Sequence, residues 1–160
     1  MSTSAWSPSA TPDVIDLLAG IAPGSHLDAV RRHRLQAREQ AQQSYLALFA
    51  PREPVAGSVT LTERLAVAAF VAGLHQQQPT QRFYRDALAS QGAEALLQAI
   101  DAEVARGTTQ GPYGHYPQGP LSAENQDGLV YNVGAAARAV LGERLAAGLA
   151  HAHLLVFHPR

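Results

Sequence analysis

Cysteine and lysine are both absent from this chain of 160 residues, in which all 12 basic residues are arginines. Without cysteine the chain has no thiol nucleophile, no disulfide, no Cys-x-x-Cys redox pair and no thiolate ligand for zinc. Without lysine it has neither a Schiff-base amine nor the lysine of a P-loop phosphate site. Thiol chemistry, lysine Schiff-base chemistry and P-loop phosphate binding are therefore excluded.

An excess of charge of either sign is also missing, since the formal net charge is −1. Nothing in this balance draws the protein to nucleic acid or to anionic lipid. The polar N-terminus lacks the basic start and apolar run of a signal peptide, and we expect no segment with the length and apolarity of a membrane span. We therefore predict a cytoplasmic protein with neither nucleic acid nor a membrane as partner.

The apolar fraction of 46% and the charged fraction of 16% are ordinary for a compact soluble protein. Residues 1–12 are small and polar, so we predict a disordered tail there. Residues 13–160 show helical spacing of apolar residues, helix-start and helix-stop signals, and no convincing pair of strands. They predict a single all-α domain of about six helices, one covering 26–50 and the last running from about Ala135 to Phe157.

Three arginines within the helix predicted for 26–50 follow a helical spacing. Arg31, Arg34 and Arg38 share a face of that predicted helix, which suggests a basic stripe. Without a wider basic surface this stripe is a weak signal for nucleic-acid binding.

The segment from Thr60 to Glu63 has the Thr-x-x-Glu pattern of a capping box, in which the two side chains satisfy free amide groups at a helix start. The helix that it opens, to about Gln76, is apolar on almost every face, which is typical of a buried helix. Because so short a chain has few elements to cover such a helix, we predict a homo-oligomer.

Four segments, with a long arginine-bearing helix between the first and the second, together resemble a known group of helical proteins. They are DVIDLLAGIAPGS, LTERLAVAAFVAGLH, GPYGHYPQGPLSAE and LAHAHLLVFHPR. These segments resemble the AhpD-like superfamily, which contains the alkylhydroperoxidase AhpD proteins and the carboxymuconolactone decarboxylases (CMD), and within it the CMD domain branch of undefined activity. The resemblance implies an AhpD-like helical bundle that assembles as a trimer or hexamer. It also implies a further helical segment after HLLVFHPR, which leaves open that this chain is a short form or a fragment.

The peroxidase members of this superfamily carry a glutamate, then eleven residues, then Cys-x-x-Cys-x-x-x-His. Laid on this chain from Glu63, that template places its first cysteine at His75, its second at Gln78 and its histidine at Arg82. Only the glutamate matches, so the resemblance implies the fold and argues against peroxidase activity. The decarboxylase branch works without the dithiol, using polar and ionisable side chains, and a cysteine-free chain is closer in kind to that branch.

Glu63 and His75 are the candidate catalytic residues. Glu63 is interpreted either as a general base within an apolar helix or as a capping glutamate alone. His75 is interpreted either as a proton shuttle or as the polar end of a buried helix. Twelve residues of straight helix span about 18 Å, so the two side chains can meet only through a bend or across a subunit contact.

Three further residues are candidates for substrate binding. Arg82 is able to hold a carboxylate through its guanidinium fork, although an arginine on a helix is more often solvated or salt-bridged. Tyr113 and His115 lie in the glycine- and proline-rich stretch 107–129, a long loop of the kind that carries function. We interpret this loop either as a lid or as a surface loop pinned by aromatic side chains.

No metal and no cofactor are expected. His151 and His158 share a helix face but lie about 10 Å apart, too far for one ion held by bonds of about 2 Å. We interpret them, with His153, as core or interface residues.

The sequence as a whole favours an AhpD/CMD-like protein without the redox dithiol, binding a small molecule with acid–base chemistry at Glu63 and His75. The alternative is a non-catalytic oligomerising or interaction module that supports an active relative. An enzyme requires an enclosed site with ionisable groups, whereas such a module requires a large apolar surface.

Overall fold

The computed structural model describes residues 13–51 and 57–158, and within these ranges every regular element is a helix. The α-helices are, in chain order, α1 (Val14–Ala19), α2 (His26–Arg32), α3 (Leu35–Phe49), α4 (Leu61–Leu74), α5 (Gln78–Ala89), α6 (Glu94–Gly107) and α7 (Ala135–Phe157). A 3-10 helix covers Pro120–Glu124, and the described residues contain one isolated β-bridge and no strand. The all-α prediction is confirmed, and the tail predicted at 1–12 lies outside the described residues.

The chain divides into two compact units, Met1–Arg64 and Leu65–Arg160. The first unit holds α1 to α3 and the start of α4, and the second holds the rest of α4 and α5 to α7. The expectation of a single domain over residues 13–160 stays a prediction.

In the first unit, α3 packs against both α1 and α2. Asp13 begins α1, because its carboxylate accepts the N–H groups of Ile15 and Asp16. Gln42 of α3 reaches the same helix start, where its side-chain oxygen accepts the Val14 N–H at 2.8 Å. These bonds satisfy amide groups for which a helix start has no internal acceptor.

The single helix predicted for residues 26–50 is wrong, because His33 and Arg34 separate α2 from α3. Arg34 has φ −126° and ψ 55°, outside the helical region. Since Arg31 belongs to α2 and Arg38 to α3, the three arginines do not share one helix face.

Six charged side chains join α1, α2 and α3 in one ion-pair cluster. Arg31 donates to Asp13 at 2.8 Å and also contacts Asp16. Arg38 donates to the buried Asp28 at 3.2 Å. The cluster consists of Asp13, Asp16, Asp28, Arg31, Arg32 and Arg38. Acidic and basic members balance, so Arg31 and Arg38 do not provide the basic stripe that their spacing suggested.

In the second unit, α6 packs against α5 and α7. Ile100 of α6, Leu88 of α5 and Leu149 of α7 are fully buried, as is Phe70 of α4. Gly73 allows α4 to approach α6 closely, because a Cβ at this position would lie 2.7 Å from Cγ2 of Val104. Apolar burial of this kind is the main stabilising contribution in a helical protein.

The helix α7 has the predicted bounds but is broken at Gly142, whose φ of 74° and ψ of 162° are not helical. By length and composition α7 is apolar enough to cross a membrane, so the expectation that no segment reaches this threshold is wrong. Its buried side chains follow a helical spacing, so part of its surface packs in the protein interior. They are Ala137, Leu141, Leu145, Ala146, Leu149, His153 and Phe157.

Candidate functional site

Tyr113 pins the loop between α6 and α7 to the second unit. Its N–H donates to the carbonyl of Phe157 at 2.9 Å, and its hydroxyl donates to the carbonyl of Leu129 at 2.7 Å. Gly128 packs so closely on the tyrosine ring that a Cβ would lie 2.1 Å from Tyr113 Cγ. Only glycine fits at position 128, and these contacts support the interpretation of a loop pinned by aromatic side chains.

Two backbone hydrogen bonds divide this loop into a base and a tip. Gly114 and Gln126 exchange N–H···O bonds of 2.8 and 3.0 Å, which makes them an antiparallel pair. His115 and Asp127 each follow one residue later, and His115 Nε2 lies 2.9 Å from Asp127 Oδ1. The tip is residues 116–125 and contains the 3-10 helix.

A cleft of about 600 Å³ opens between the base of the loop and the C-terminal part of α7. This volume lies within the range of small-molecule sites in proteins. The cleft brings together side chains from both segments. Its titratable side chains are Tyr113, His115, Asp127, Tyr131, His153 and His158.

Behind the cleft, Tyr131 is bonded to a buried carboxylate of α6. Its hydroxyl donates to Glu103 Oε2 at 2.7 Å, and Arg106 Nη1 contacts both carboxylate oxygens at 2.9 and 2.7 Å. The Gly134 N–H adds a bond of 3.3 Å. Glu103 is only 1% exposed, so these donors compensate the burial of its charge. Burial, together with the bond to Glu103, raises the pKa of Tyr131 far above its ordinary value, so its hydroxyl is a neutral donor.

His153 lies flat against Tyr131, with ring centroids 4.4 Å apart and planes 17° apart. It is buried, and its Nε2 lies 2.8 Å from the carbonyl oxygen of Gly107. Because a carbonyl only accepts hydrogen bonds, Nε2 carries the proton. Burial lowers the pKa of His153 and outweighs the opposing effect of the bond to Gly107, so the imidazole is neutral at physiological pH.

Comparison of the chain with protein families, curated proteins and solved structures found no match.

Two of the five predicted site residues lie at the cleft. Tyr113 is buried beneath it, and His115 stands at its mouth with 62% of its side chain exposed. His75 follows the last residue of α4 and is exposed, Arg82 is exposed on α5, and neither lines the cleft. Glu63 belongs to the first unit.

Glu63 forms the capping box predicted from the sequence. Its Oε2 accepts the Thr60 N–H at 2.7 Å and the Thr60 hydroxyl at 2.9 Å, and the Glu63 N–H donates to Thr60 Oγ1 at 3.2 Å. Glu63 thus stands in the first turn of α4, whereas His75 comes after the last. Capping accounts for this glutamate without any chemistry.

Asp127 and Tyr131 at the cleft, and Glu103 behind it, are not among the residues predicted from the sequence. Glu103 does give a signal, because it shares one face of α6 with Leu97 and Ile100 at a spacing of three. A carboxylate in an apolar stripe indicates a buried polar network. Asp127 and Tyr131 give none, because their partners lie 12 and 28 residues away in the chain.

Among residues 13–51 and 57–158, no group of three or more histidine and carboxylate side chains is placed to hold a metal ion. His151 is exposed, His153 is buried, and His158 is half-buried with its ring edge against Tyr113. The expectations of no metal and no cofactor stay predictions.

Proposed function

We propose that this chain is a cysteine-free relative of the AhpD/CMD superfamily that binds a small molecule in the cleft between the loop base and α7. The observation that carries the proposal is the convergence of three imidazoles and two phenols on one cleft of about 600 Å³. Clefts of this size, with a few polar groups in an apolar wall, are typical small-molecule sites.

Acid–base chemistry is the reaction type that these groups support best. Imidazole is the commonest general acid–base in proteins, and the chain has no cysteine or lysine for covalent chemistry. His115 has a carboxylate beside it, which fixes the tautomer of an imidazole in the way that a general base is oriented. We assign the chemistry to this cleft because Glu63 is engaged in a capping box and His75 is exposed.

Backbone amide NMR spectra test the binding site directly. A set of small aromatic and aliphatic alcohols, amines, acids and lactones at millimolar concentration should shift amide signals at the loop base and in the last three turns of α7. The Leu154→Trp variant should remove these shifts, because Leu154 lines the cleft and indole would fill it.

A matched control is available at the next residue. Leu155 is 63% exposed and does not line the cleft, so Leu155→Trp adds the same indole outside the site. That variant should keep the ligand shifts. Shifts that are absent from the native protein, or that survive in Leu154→Trp, would contradict the proposal.

A second candidate function is a non-catalytic oligomerising module. Several large apolar side chains of the second unit are exposed, among them Val130 at 85%, Val140 and Leu155. Exposed apolar side chains that form one contiguous patch mark protein contacts. Light scattering decides whether the chain self-associates, and the ligand screen decides whether it also binds small molecules.

A further inference from the structure

The two tyrosines and two of the three histidines of the cleft already donate their protons to other groups of the protein. We infer that the cleft selects small, mainly apolar molecules that carry a hydrogen-bond donor, such as alcohols and amines, over carboxylates and other anions. This inference rests on the proposed function and adds the chemical class of the ligand. The donors and acceptors that the polar side chains of the cleft still offer carry this inference.

Both phenols use their protons inside the protein. The Tyr113 hydroxyl donates to the Leu129 carbonyl at 2.7 Å, and the Tyr131 hydroxyl donates to Glu103 Oε2 at 2.7 Å. Each hydroxyl has a single proton, so what it still offers is lone pairs. A ligand that needs a hydrogen-bond donor gains little from either tyrosine.

Two of the three imidazoles are committed in the same way. His153 Nε2–H donates to the Gly107 carbonyl, and burial keeps this ring neutral by lowering its pKa. His115 Nε2 lies 2.9 Å from Asp127, and because an ionised carboxylate only accepts, that nitrogen carries the proton. In both rings Nδ1 is then the unprotonated acceptor.

The third imidazole does not reverse this balance. His158 stands edge-on to Tyr113, with ring centroids 5.5 Å apart, and its Nε2 lies 2.7 Å from where a Cβ on Gly114 would be. A neutral imidazole offers one donor and one acceptor. The amide of Gln126 adds two N–H donors. These three donors are still outnumbered by the acceptors of the two other imidazoles, the two phenols and the two oxygens of the Asp127 carboxylate.

The charges of the cleft also disfavour anionic ligands. Asp127 supplies a carboxylate, and no arginine is among the lining residues that the structure describes. The chain has no lysine, so no ammonium group is available either. Guanidinium and ammonium groups are the strongest holders of anions in proteins. A carboxylate ligand would meet neither of them in this cleft and would face the like charge of Asp127.

Four probes of matched size test the inference: benzyl alcohol, benzylamine, benzoate and toluene. Each is titrated into the native protein at about pH 8, above the ordinary histidine pKa, and amide shifts of cleft residues give the dissociation constants. One hydrogen bond to the cleft should make benzyl alcohol and benzylamine about threefold to tenfold tighter than toluene. Benzoate should be the weakest of the four.

The outcomes separate this inference from the proposed function. If none of the four probes shifts the cleft residues, the cleft is not a ligand site and both fail. If benzoate binds as tightly as benzyl alcohol, the cleft remains a ligand site but the inference is overturned. If toluene matches the alcohol, the polar groups do not contribute to selection and the inference is again overturned.

The Asp127→Asn variant tests the charge of the cleft alone. It replaces the carboxylate by a neutral amide of the same shape, so benzylamine should bind about threefold more weakly. Asp86→Asn is the matched control, because Asp86 is exposed on α5 and does not line the cleft. Equal weakening in both variants would show that net charge acts at a distance, and would overturn selection by Asp127.

Discussion

The capping contacts of Glu63 lie within the protein itself, so substitution of this residue should change the stability of the fold. Glu63→Ala removes the bonds to Thr60, and the loss of a helix cap costs about 0.5–2 kcal/mol of stability. Glu63→Gln keeps an acceptor at the same place and should be mild. Thermal melts of both variants measure the difference.

Thr60→Ala is the control for that prediction, since it removes the other half of the capping box and should resemble Glu63→Ala. A Glu63→Ala protein that melts like the native one would count against the capping role. A Glu63→Gln protein that keeps its stability but loses ligand binding would support a catalytic or binding role for Glu63.

Tyr131 and Tyr113 allow a comparison between a charged and a neutral hydrogen-bond partner. Tyr131→Phe removes a donor from the buried Glu103 carboxylate and should cost about 1–3 kcal/mol. Tyr113→Phe removes a bond to the neutral Leu129 carbonyl and should cost about 0.5–1.5 kcal/mol. Chemical denaturation of both variants gives the two values. Equal losses would show that Arg106 and Gly134 are sufficient to satisfy Glu103.

At the scale of the element, the ion-pair cluster of α1, α2 and α3 links stability to pH. Burial raises the pKa of Asp13, but the bonds from Arg31 and from the Asp16 N–H together lower it below its ordinary value. The Gly24 N–H, with Arg32, lowers the pKa of Asp28 likewise. A lowered carboxyl pKa gives stability that is complete above the unfolded value of about 3.9 and is lost as the pH falls through the folded pKa.

The first unit should therefore lose stability as the pH falls below about 4. Asp13→Asn keeps the helix cap, because asparagine caps as well as aspartate, but removes the charge. This variant should be less stable than the native protein at neutral pH, and the difference should shrink as the pH falls through the lowered pKa of Asp13, because the native side chain then loses its charge as well. Circular dichroism melts across this pH range measure it. A difference that persists in acid would assign the effect to packing.

Local spacing predicts helices well in this chain, and it fails where distant residues decide. The bounds of α7 and the capping box of α4 follow from residues within a few positions of each other. The break at Arg34 does not follow from such spacing. The carboxylates that hold Arg31 and Arg38 are those of Asp13 and Asp16, from an earlier segment, and that of Asp28 in α2. Periodicity within one segment carries no information about such partners.

The residues of the candidate site could also be predicted only where the signal is local in the sequence. Glycine, proline and aromatic residues mark the loop, so Tyr113 and His115 stand out in the sequence. Asp127 and Tyr131 could not be predicted from the sequence, because their partners, His115 in the loop and Glu103 in α6, are distant in the chain. The template of the peroxidase family directs attention to Glu63 and His75, but these lie at the two ends of one helix.

For the whole molecule, self-association is the first expectation. Exposed apolar side chains such as Val130, Val140 and Leu155 have an unfavourable contact with water that a second copy would remove. Light scattering at high protein concentration should give a mass that is a multiple of 17.0 kDa. Leu155→Glu should shift the equilibrium towards the single chain. A native protein that scatters only as a monomer would contradict this expectation.

Thiol-dependent peroxidase activity should be absent from the whole molecule, because the chain has no sulfur nucleophile of the required kind. The measurement is consumption of an alkyl hydroperoxide in the presence of a dithiol reductant. A heat-denatured sample serves as the control. Turnover above that control would refute the prediction and would require a reductive chemistry without cysteine.

The Gly114–Gln126 pair has a consequence for how this protein can diversify. The two backbone bonds close the tip, residues 116–125, into a segment whose ends are held together by the chain itself. Tyr113 and Gly128 lie just outside the Gly114–Gln126 pair and hold the base of the loop in place. Insertions, deletions or grafted peptides in the tip therefore leave the anchors in place. The sequence of the tip can therefore be replaced by other recognition sequences while the residues of the cleft stay the same.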